Sequence, residues 1–366
     1  MKLKCNRASL LAAFQTVMSV VPTKSTVPIL QNVKLHAHGK EVFLLGTDLD
    51  IGIVREVPGC EVKAEGILIL PPAPFAGLLR EAADEEISIE SDGNLANVSY
   101  KGGKFKIVGA EPKEYPNFPV FESKSAVPME TKDLRDMIAK TAFAVSNDTT
   151  RNALTGILLV LKGKDIRMVS SDARRLALVR RKVEKNEHGA LEVLVPPKAL
   201  TLLEKTLGTE DETIHVAVQQ NQFLMRTHNA MVFTRLVEGK FPDYDAVIPK
   251  DYDHKIYLGT EEFLAAVRQA ALMTSDRCKA VKMQIRENHL TLLSRAQDLG
   301  EAKVDLAAKY TGNEVEIVFN PDFFIDVLRV VGEEGVTLEF KDKASAVVLR
   351  GGKDYTYLVM PLTIDV

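Results

Sequence analysis

Pro71, Pro196 and Pro321 stand 125 residues apart (196 − 71 and 321 − 196), each where an apolar strand-like run gives way to a helix-like one. The runs are ILILPPAPFAGLLREA, VLVPPKALTLLEKTL and IVFNPDFFIDVLRVV. Proline is tolerated in the first turn of a helix, where its missing N–H would have no partner anyway. One such junction constrains little. Three at a constant period in 366 residues predict one domain written three times. The period is too long for a solenoid, whose repeats run roughly 20–50 residues.

The same elements recur in each repeat. An amphipathic helix comes first. Leu10, Leu11, Phe14, Val17 and Met18 follow Asn6 as N-cap; Leu134, Ile138, Thr141 and Ala142 follow Thr131; Phe263, Leu264, Val267, Ala270 and Ala271 follow Thr260. A hairpin comes next, turning at Gly39-Lys40, Gly163-Lys164 and Glu287-Asn288, with period-2 alternation before each turn. A further strand, the proline-led helix and a second set of strands complete the repeat. The expected fold is α+β: three tandem similar domains, each with two helices on one face of antiparallel sheets. Boundaries fall in the loops EYPNFPVFESKSAVP and FPDYDAVIPKDYDHK, giving domains 1–122, 123–250 and 251–366.

Composition narrows the class. At 46% apolar and 27% charged residues the chain has no case for wholesale disorder. No apolar run reaches the roughly 20 residues of a membrane span. The N-terminus has a basic head and an apolar body, but Asn6, Arg7 and Gln15 interrupt it and the repeat claims it as helix rather than signal peptide. Cys5, Cys60 and Cys278 are few, odd in number and far apart, which implies neither a disulfide framework nor a metal cluster and suits a cytoplasmic setting. The net charge of −3 does not advertise a nucleic-acid binder, yet one surface can be basic while the rest is acidic.

Catalytic signatures are missing from the sequence. It has no phosphate-binding loop of the Walker type, no GxGxxG opening a helix, no CxxC pair, no HExxH and no GxSxG. Lys101-Gly102-Gly103-Lys104 lies between strand-like runs and reads as a hairpin turn. His36 and His38 share a strand face with Lys34 and lack a third ligand, so they read as a solvated face rather than a zinc site. Asp48, Asp172 and Asp298 occupy matching places and read as loop caps. Arg174-Arg175 and Arg180-Arg181-Lys182 form the densest basic stretch, read as a charged strand edge. No catalytic residue, metal ligand or cofactor is expected.

Several motifs, in order and in register with the repeat, resemble the bacterial DNA polymerase III beta subunit, the beta sliding clamp family. They are TVPILQNV with GTDLDIGI, then SSDARRLAL and GKFPDYDAVIP, then DLGEA, VFNPDFFIDVL and the terminal YLVMPL. The resemblance covers the whole chain. It implies a head-to-tail homodimer closing into a ring around duplex DNA, held by topology with weak, sequence-independent phosphate contacts. It also implies tethering of the polymerase catalytic subunit, a clamp loader, other DNA polymerases and repair proteins through a short apolar–aromatic peptide.

Matching positions for that peptide pocket, between the second and third repeats, are Leu154, Val169, Ser171, Asp172, Arg174, Arg175, Leu176, Pro242, Val247, Asn320, Phe323, Leu358, Met360, Pro361 and Leu362. Candidate DNA contacts are Lys24, Arg151 and Lys198. The dimer joint is expected where Lys101, Lys104, Phe105, Lys106 and Ile107 of one chain meet Leu272, Met273, Asp298, Glu301 and Asp305 of another, an apolar centre with complementary charge around it.

The chain departs from the family pattern at several places. Ala173-Arg174 replaces Gly-His, Ala246 an arginine and Cys278 an aromatic, Asn152 and Ala153 replace tyrosines, and Thr363–Val366 extend the usual end. Two other readings are an enzyme using Arg174-Arg175 as an anion site, against which the missing nucleophile, metal ligands and phosphate loop weigh, and a peptide-binding scaffold without DNA function.

Overall fold

The computed structural model describes the chain except residues 185, 187–188, 208–212, 276–277 and 364–366 and the side chain of residue 125; most of the C-terminal extension thus lies outside the described residues. Contacts divide the chain into two compact units. The first holds residues 1–132, 184–188 and 198–236; the second holds 133–183, 189–197 and 237–366. The helices are α1 (Arg7–Met18), α2 (Pro72–Glu81), α3 (Thr131–Thr141), α4 (Pro197–Thr206), a single turn α5 (Tyr244–Val247), α6 (Thr260–Ala271) and α7 (Pro321–Val330).

Each proline marks the expected junction. Strands Gly66–Leu70, Leu191–Val195 and Val315–Phe319 end just before Pro71, Pro196 and Pro321, and α2, α4 and α7 begin at or just after them. The apolar stripes are buried as their spacing predicts: Leu10, Phe14 and Val17 on α1, Phe263, Val267 and Ala270 on α6. Asn6 caps α1, its Oδ1 accepting from the Ser9 N–H at 3.0 Å. Thr131 and Thr260 differ from expectation. They are the first helical residues and buried, and extended Gly259 caps α6.

Four antiparallel sheets carry these helices. In the first unit, a five-stranded sheet runs in the order Cys60–Ala64, Lys2–Asn6, Glu86–Asp92, Leu95–Tyr100, Gly103–Val108. Its eight-stranded neighbour joins the first repeat to the second, because Ile51–Glu56 pairs with Ala230–Arg235. The second unit repeats the device. Arg175–Lys182 pairs with Tyr355–Val359 inside another eight-stranded sheet, and a four-stranded sheet ends on Gly300–Ala307. Helix α1 packs on strands of both sheets of its unit, as does α6, so each helix bridges two sheets rather than lying on one. Ring pairs repeat across the units. Phe14 meets Phe75 at 4.9 Å and Phe263 meets Phe324 at 5.6 Å, the partners offset by 249 residues each (263 − 14 and 324 − 75).

One bond overturns a sequence expectation. Cys5 and Cys60 face each other across adjacent antiparallel strands, Cα atoms 4.2 Å apart, and form a disulfide. Their 55-residue separation concealed a register that only strand pairing creates. Cys278 is a free, exposed thiol.

Candidate functional site

A five-residue turn occurs twice with the same hydrogen bonds. In Thr47–Ile51, the Thr47 hydroxyl donates to Ile51 O at 2.8 Å and accepts from Leu49 N–H at 3.0 Å, while Asp48 Oδ1 accepts from the N–H groups of Asp50 and Ile51 at 3.1 and 2.8 Å. In Ser171–Arg175, the Ser171 hydroxyl donates to Arg175 O at 2.7 Å and accepts from Ala173 N–H at 3.1 Å. Asp172 Oδ1 there accepts from the N–H groups of Arg174 and Arg175, both at 2.9 Å. The loop-cap reading of Asp48 and Asp172 is thereby observed. Gln297 precedes Asp298 in the third copy and supplies no hydroxyl; that turn closes through Leu299 N–H to Ala296 O at 3.2 Å.

The residue after each capping aspartate has a left-handed backbone, φ 82° at Leu49 and 72° at Ala173. Glycine would occupy this conformation without a Cβ penalty. The Ala173 departure therefore preserves the turn at a cost in strain and leaves its path unchanged.

Around the second turn the structure gathers most of the expected pocket. Leu154, Val169, Leu176 and Leu358 are buried together with Phe241 and Val348 and form the apolar floor. Met360 and Val247 are 41% and 53% exposed, large for apolar side chains, and Pro242, just before α5, is exposed as well. The Met360 N–H donates to Arg174 O at 2.8 Å and the Leu362 N–H to Val318 O at 2.7 Å, which anchors Met360-Pro361-Leu362. Asn320 caps α7 through its Oδ1 and the Asp322 N–H at 3.0 Å, and with Phe323, Asp172 and Arg174 it lines a cavity of about 580 Å³.

Sequence reasoning missed Tyr244, Ile248 and Tyr252, half-buried against the same floor. Their apolar spacing in YDAVIPKDY was the available signal. Arg167 reaches the Tyr244 hydroxyl at 3.2 Å and Asp245 at 3.6 Å, which pins α5 in place.

The basic stretch divides into spent and unspent charge. Arg175 is only 11% exposed and contacts Asp172 at 3.0 Å, Asp326 at 2.6 Å and Phe143 O at 2.8 Å, with its guanidinium 4.6 Å from the Phe323 ring centre. Burial by itself would lower its pKa; Tyr357, Asp326 and Asp172 outweigh that and hold it above its ordinary value. Arg181 engages Asp133, Asp136 and Asp354. Arg174 is exposed, lines the cavity and makes no ion pair among the described residues.

The three DNA candidates are not equivalent. Lys24 is exposed. Lys198 is committed to Asp48 at 2.8 Å, although 62% of its side chain remains exposed. Arg151 lines the same cavity as Arg174 and Phe323.

The expected joint residues sit on two open sheet edges. Among the described residues Gly103–Val108 pairs on one side only, with Leu95–Tyr100; Lys104, Phe105 and Lys106 on it are exposed, and Ile107 is half-buried. Lys101 lies in the hairpin turn before it, as predicted. Gly300–Ala307 likewise pairs only with His289–Ala296, and Asp298, Glu301 and Leu272 near it are exposed, Met273 half-buried. Asp305 is already held by the Thr291 hydroxyl at 2.6 Å and His289 Nε2 at 3.0 Å, and those bonds keep its carboxyl below the usual range. Among the described residues no His, Cys, Asp and Glu group could hold a metal ion, and no helix is long and apolar enough to cross a membrane.

Repeated α+β domains fused through shared antiparallel sheets, with a capped turn beside an apolar cleft, define a clamp-type protein. The comparisons name the family. Family models of the DNA polymerase III beta subunit match end to end: the N-terminal domain over residues 1–119, the central domain over 128–243 and the C-terminal domain over 245–363. The chain belongs to this family. It is 28% identical to the beta sliding clamp of Chlamydia pneumoniae over 100% of this chain and 99% of that one, and 30% identical to that of Halalkalibacterium halodurans over 91% of each. The crystal structure of the Bacillus subtilis DNA polymerase sliding clamp superposes with a TM-score of 0.96 at 26% identity, covering 100% of both chains. The protein is a DNA sliding clamp, a non-catalytic processivity subunit.

Proposed function

We propose that two copies of this chain join head to tail into a ring around duplex DNA and tether the replicative polymerase, the clamp loader and other replication and repair proteins through the cleft beside Ser171–Arg175. The observation that carries this reading is the pair of open edges. Strands Gly103–Val108 and Gly300–Ala307 each present unpaired backbone groups, and long exposed edges are templates for pairing with another chain. Their charges are largely complementary, Lys101, Lys104 and Lys106 against Asp298 and Glu301, with Lys303 on the second edge paired to Asp305 at 3.7 Å and Phe105, Ile107, Leu272 and Met273 as apolar centre. Such a contact is heterologous and closes when its rotation closes.

The cleft suits an apolar–aromatic peptide: a buried apolar floor, an exposed, unbranched Met360 on its rim, and polar guides from Asn320 and the turn. Lys24, Arg151 and Lys198 would supply weak phosphate contact. Retention after loading on circular but not linear DNA tests the encircling function; equal loss from both would refute it. Met360→Ala, at the exposed rim of the cleft, should weaken polymerase-peptide binding; unaltered affinity would remove the cleft assignment.

A further inference from the structure

We infer that Cys5 and Cys60 form a reversible thiol latch, opened by a low-molecular-weight thiol and closed by its disulfide, and that the state of this latch sets the strength of the joint edge Gly103–Val108. The link to the joint rests on the proposed ring; the latch itself does not.

The bond closes on a weakly held element. Strand Cys60–Ala64 lies at one end of the five-stranded sheet and, among the described residues, pairs only with Lys2–Asn6. It is five residues long, its register slips between Lys2 and Leu3, and Glu61, Lys63 and Ala64 are exposed. Lys63 pairs with Glu61 of the same strand at 3.8 Å, which ties the strand to nothing else. A short edge strand with exposed side chains opens at low cost. Cys60 is its first residue, so the sulfur bond is its covalent tie to the strand that buries Leu3 and Cys5.

The two sulfurs differ in access. Cys5 is 1% exposed, while Cys60 is half-buried next to exposed Pro58 and Gly59. Exchange therefore enters at Cys60. To open the latch, an external thiolate attacks Cys60 Sγ, the bond to Cys5 Sγ breaks, and Cys5 leaves as a thiolate that takes up a proton. A second external thiolate attacks the external sulfur of the mixed disulfide and frees Cys60, which is protonated in turn. The protein gains two electrons and two protons, and the external thiols depart as their own disulfide. Closing is the reverse, with the Cys60 thiolate attacking the external disulfide first.

The latch stands at the end of the sheet where the joint edge begins. The neighbouring row of paired residues runs Glu61, Lys4, Ser88, Ser99, Lys104, across all five strands from the latch strand to the joint edge. A second link runs along that end. Asn6 follows Cys5, donates its N–H to Gly59 O at 3.4 Å and caps α1. Arg7 donates from its backbone N–H to Glu85 O at 2.7 Å and from Nε to Asp84 O at 3.0 Å. The Asp84 carboxylate accepts from the N–H of Lys101, in the turn that leads into Gly103–Val108. Parting Cys60 from Cys5 loosens the first member of this chain of contacts, and the turn at Lys101 is its last.

The test uses the full chain with Cys278→Ser, which removes the free exposed thiol and leaves the latch pair. The protein is equilibrated with mixtures of reduced and oxidised glutathione, quenched in acid and alkylated, and its thiols are counted by mass. Both closed and open forms should be found across the series; a pair that stays closed, or stays open, at every ratio overturns the inference. Oxidised glutathione should modify Cys60 in Cys5→Ser about tenfold faster than Cys5 in Cys60→Ser, and equal or reversed rates overturn the entry at Cys60. Amide exchange at residues 101–108 should be about fivefold faster in the open form, and the dimer dissociation constant from sedimentation about fivefold higher. These two readings need no substitution at the latch, so they decide the matter even where a serine variant fails to fold. Equal exchange in the two states overturns the inference, as does a dimer of unchanged strength. A chain that is monomeric in both states removes the ring reading instead, and exchange at 101–108 still decides the latch.

Discussion

Arg175 donates from Nη1 to Asp326 Oδ2 at 2.6 Å, joining the Ser171–Arg175 turn to helix α7. The same side chain holds Asp172 through Nε and Phe143 O through Nη2, and lies over the Phe323 ring. With Nε, Nη1 and Nη2 each engaged inside the protein, Arg175 fixes Phe323 and Asp172 in place. Removing it leaves two partly buried carboxylates without their partner, so Arg175→Met should lower stability by about 2–3 kcal/mol in urea unfolding. Arg175→Lys should lose roughly half as much, because an ammonium cannot reach three acceptors in one plane. A loss within 0.5 kcal/mol of zero, at about the scale of a neutral surface change, would refute the strut.

Ala173 holds φ 72°, a region that costs an L-residue about 1–2 kcal/mol. Ala173→Gly relieves that strain and gives back about 0.5–1 kcal/mol through the freer unfolded chain. The net expectation is a gain of about 0.5 kcal/mol, opposite in sign to an alanine-to-glycine change at buried Ala199 in α4. Thermal unfolding of both variants reads the two signs.

Asp48 is subject to opposed effects: burial raises its pKa, while the Lys198 hydrogen bond and the Ile51 N–H lower it more, so the folded value lies below the ordinary one. A group depressed in the folded state contributes stability above its unfolded pKa and loses it as pH falls through the folded value. Lys198→Met should therefore move the Asp48 titration upward and bring its share of acid destabilisation to higher pH. Carboxyl NMR titration from about pH 2 to 6 spans that window.

Lys104→Glu/Lys106→Glu should weaken self-association by placing like charges against Glu301 and Asp298 of a second copy. Sedimentation across a dilution series reads the change. An unaltered dimer mass at every concentration would place the joint elsewhere.

The disulfide makes a countable prediction. Thiol titration of unreduced, denatured protein should find one thiol per chain, Cys278, and three after reduction. Reduction, or Cys60→Ser, should cost about 2–4 kcal/mol, as closing a long loop implies.

Much of this was legible because the repeat repeats chemistry. Stripes such as Leu10, Phe14 and Val17 marked the helices, alternation marked hairpins, and proline spacing marked strand-to-helix junctions. The turn aspartates were legible for the same reason, since an Asp cap depends on neighbours two and three residues away. Cys5 and Cys60 were not, since their meeting depends on a strand register set by packing elsewhere in the sheet.

Local sequence, acting over a few residues, determined the elements of this clamp, their threefold order and the residue types along its open edges. Tertiary structure alone decided which charges remain available. Arg175 and Arg174 are adjacent in sequence, yet Asp326, distant by 151 residues, takes the first, and no carboxylate among the described residues pairs with the second. Ion pairing is a matter of distance in space, and that distance is fixed only when the sheets have closed.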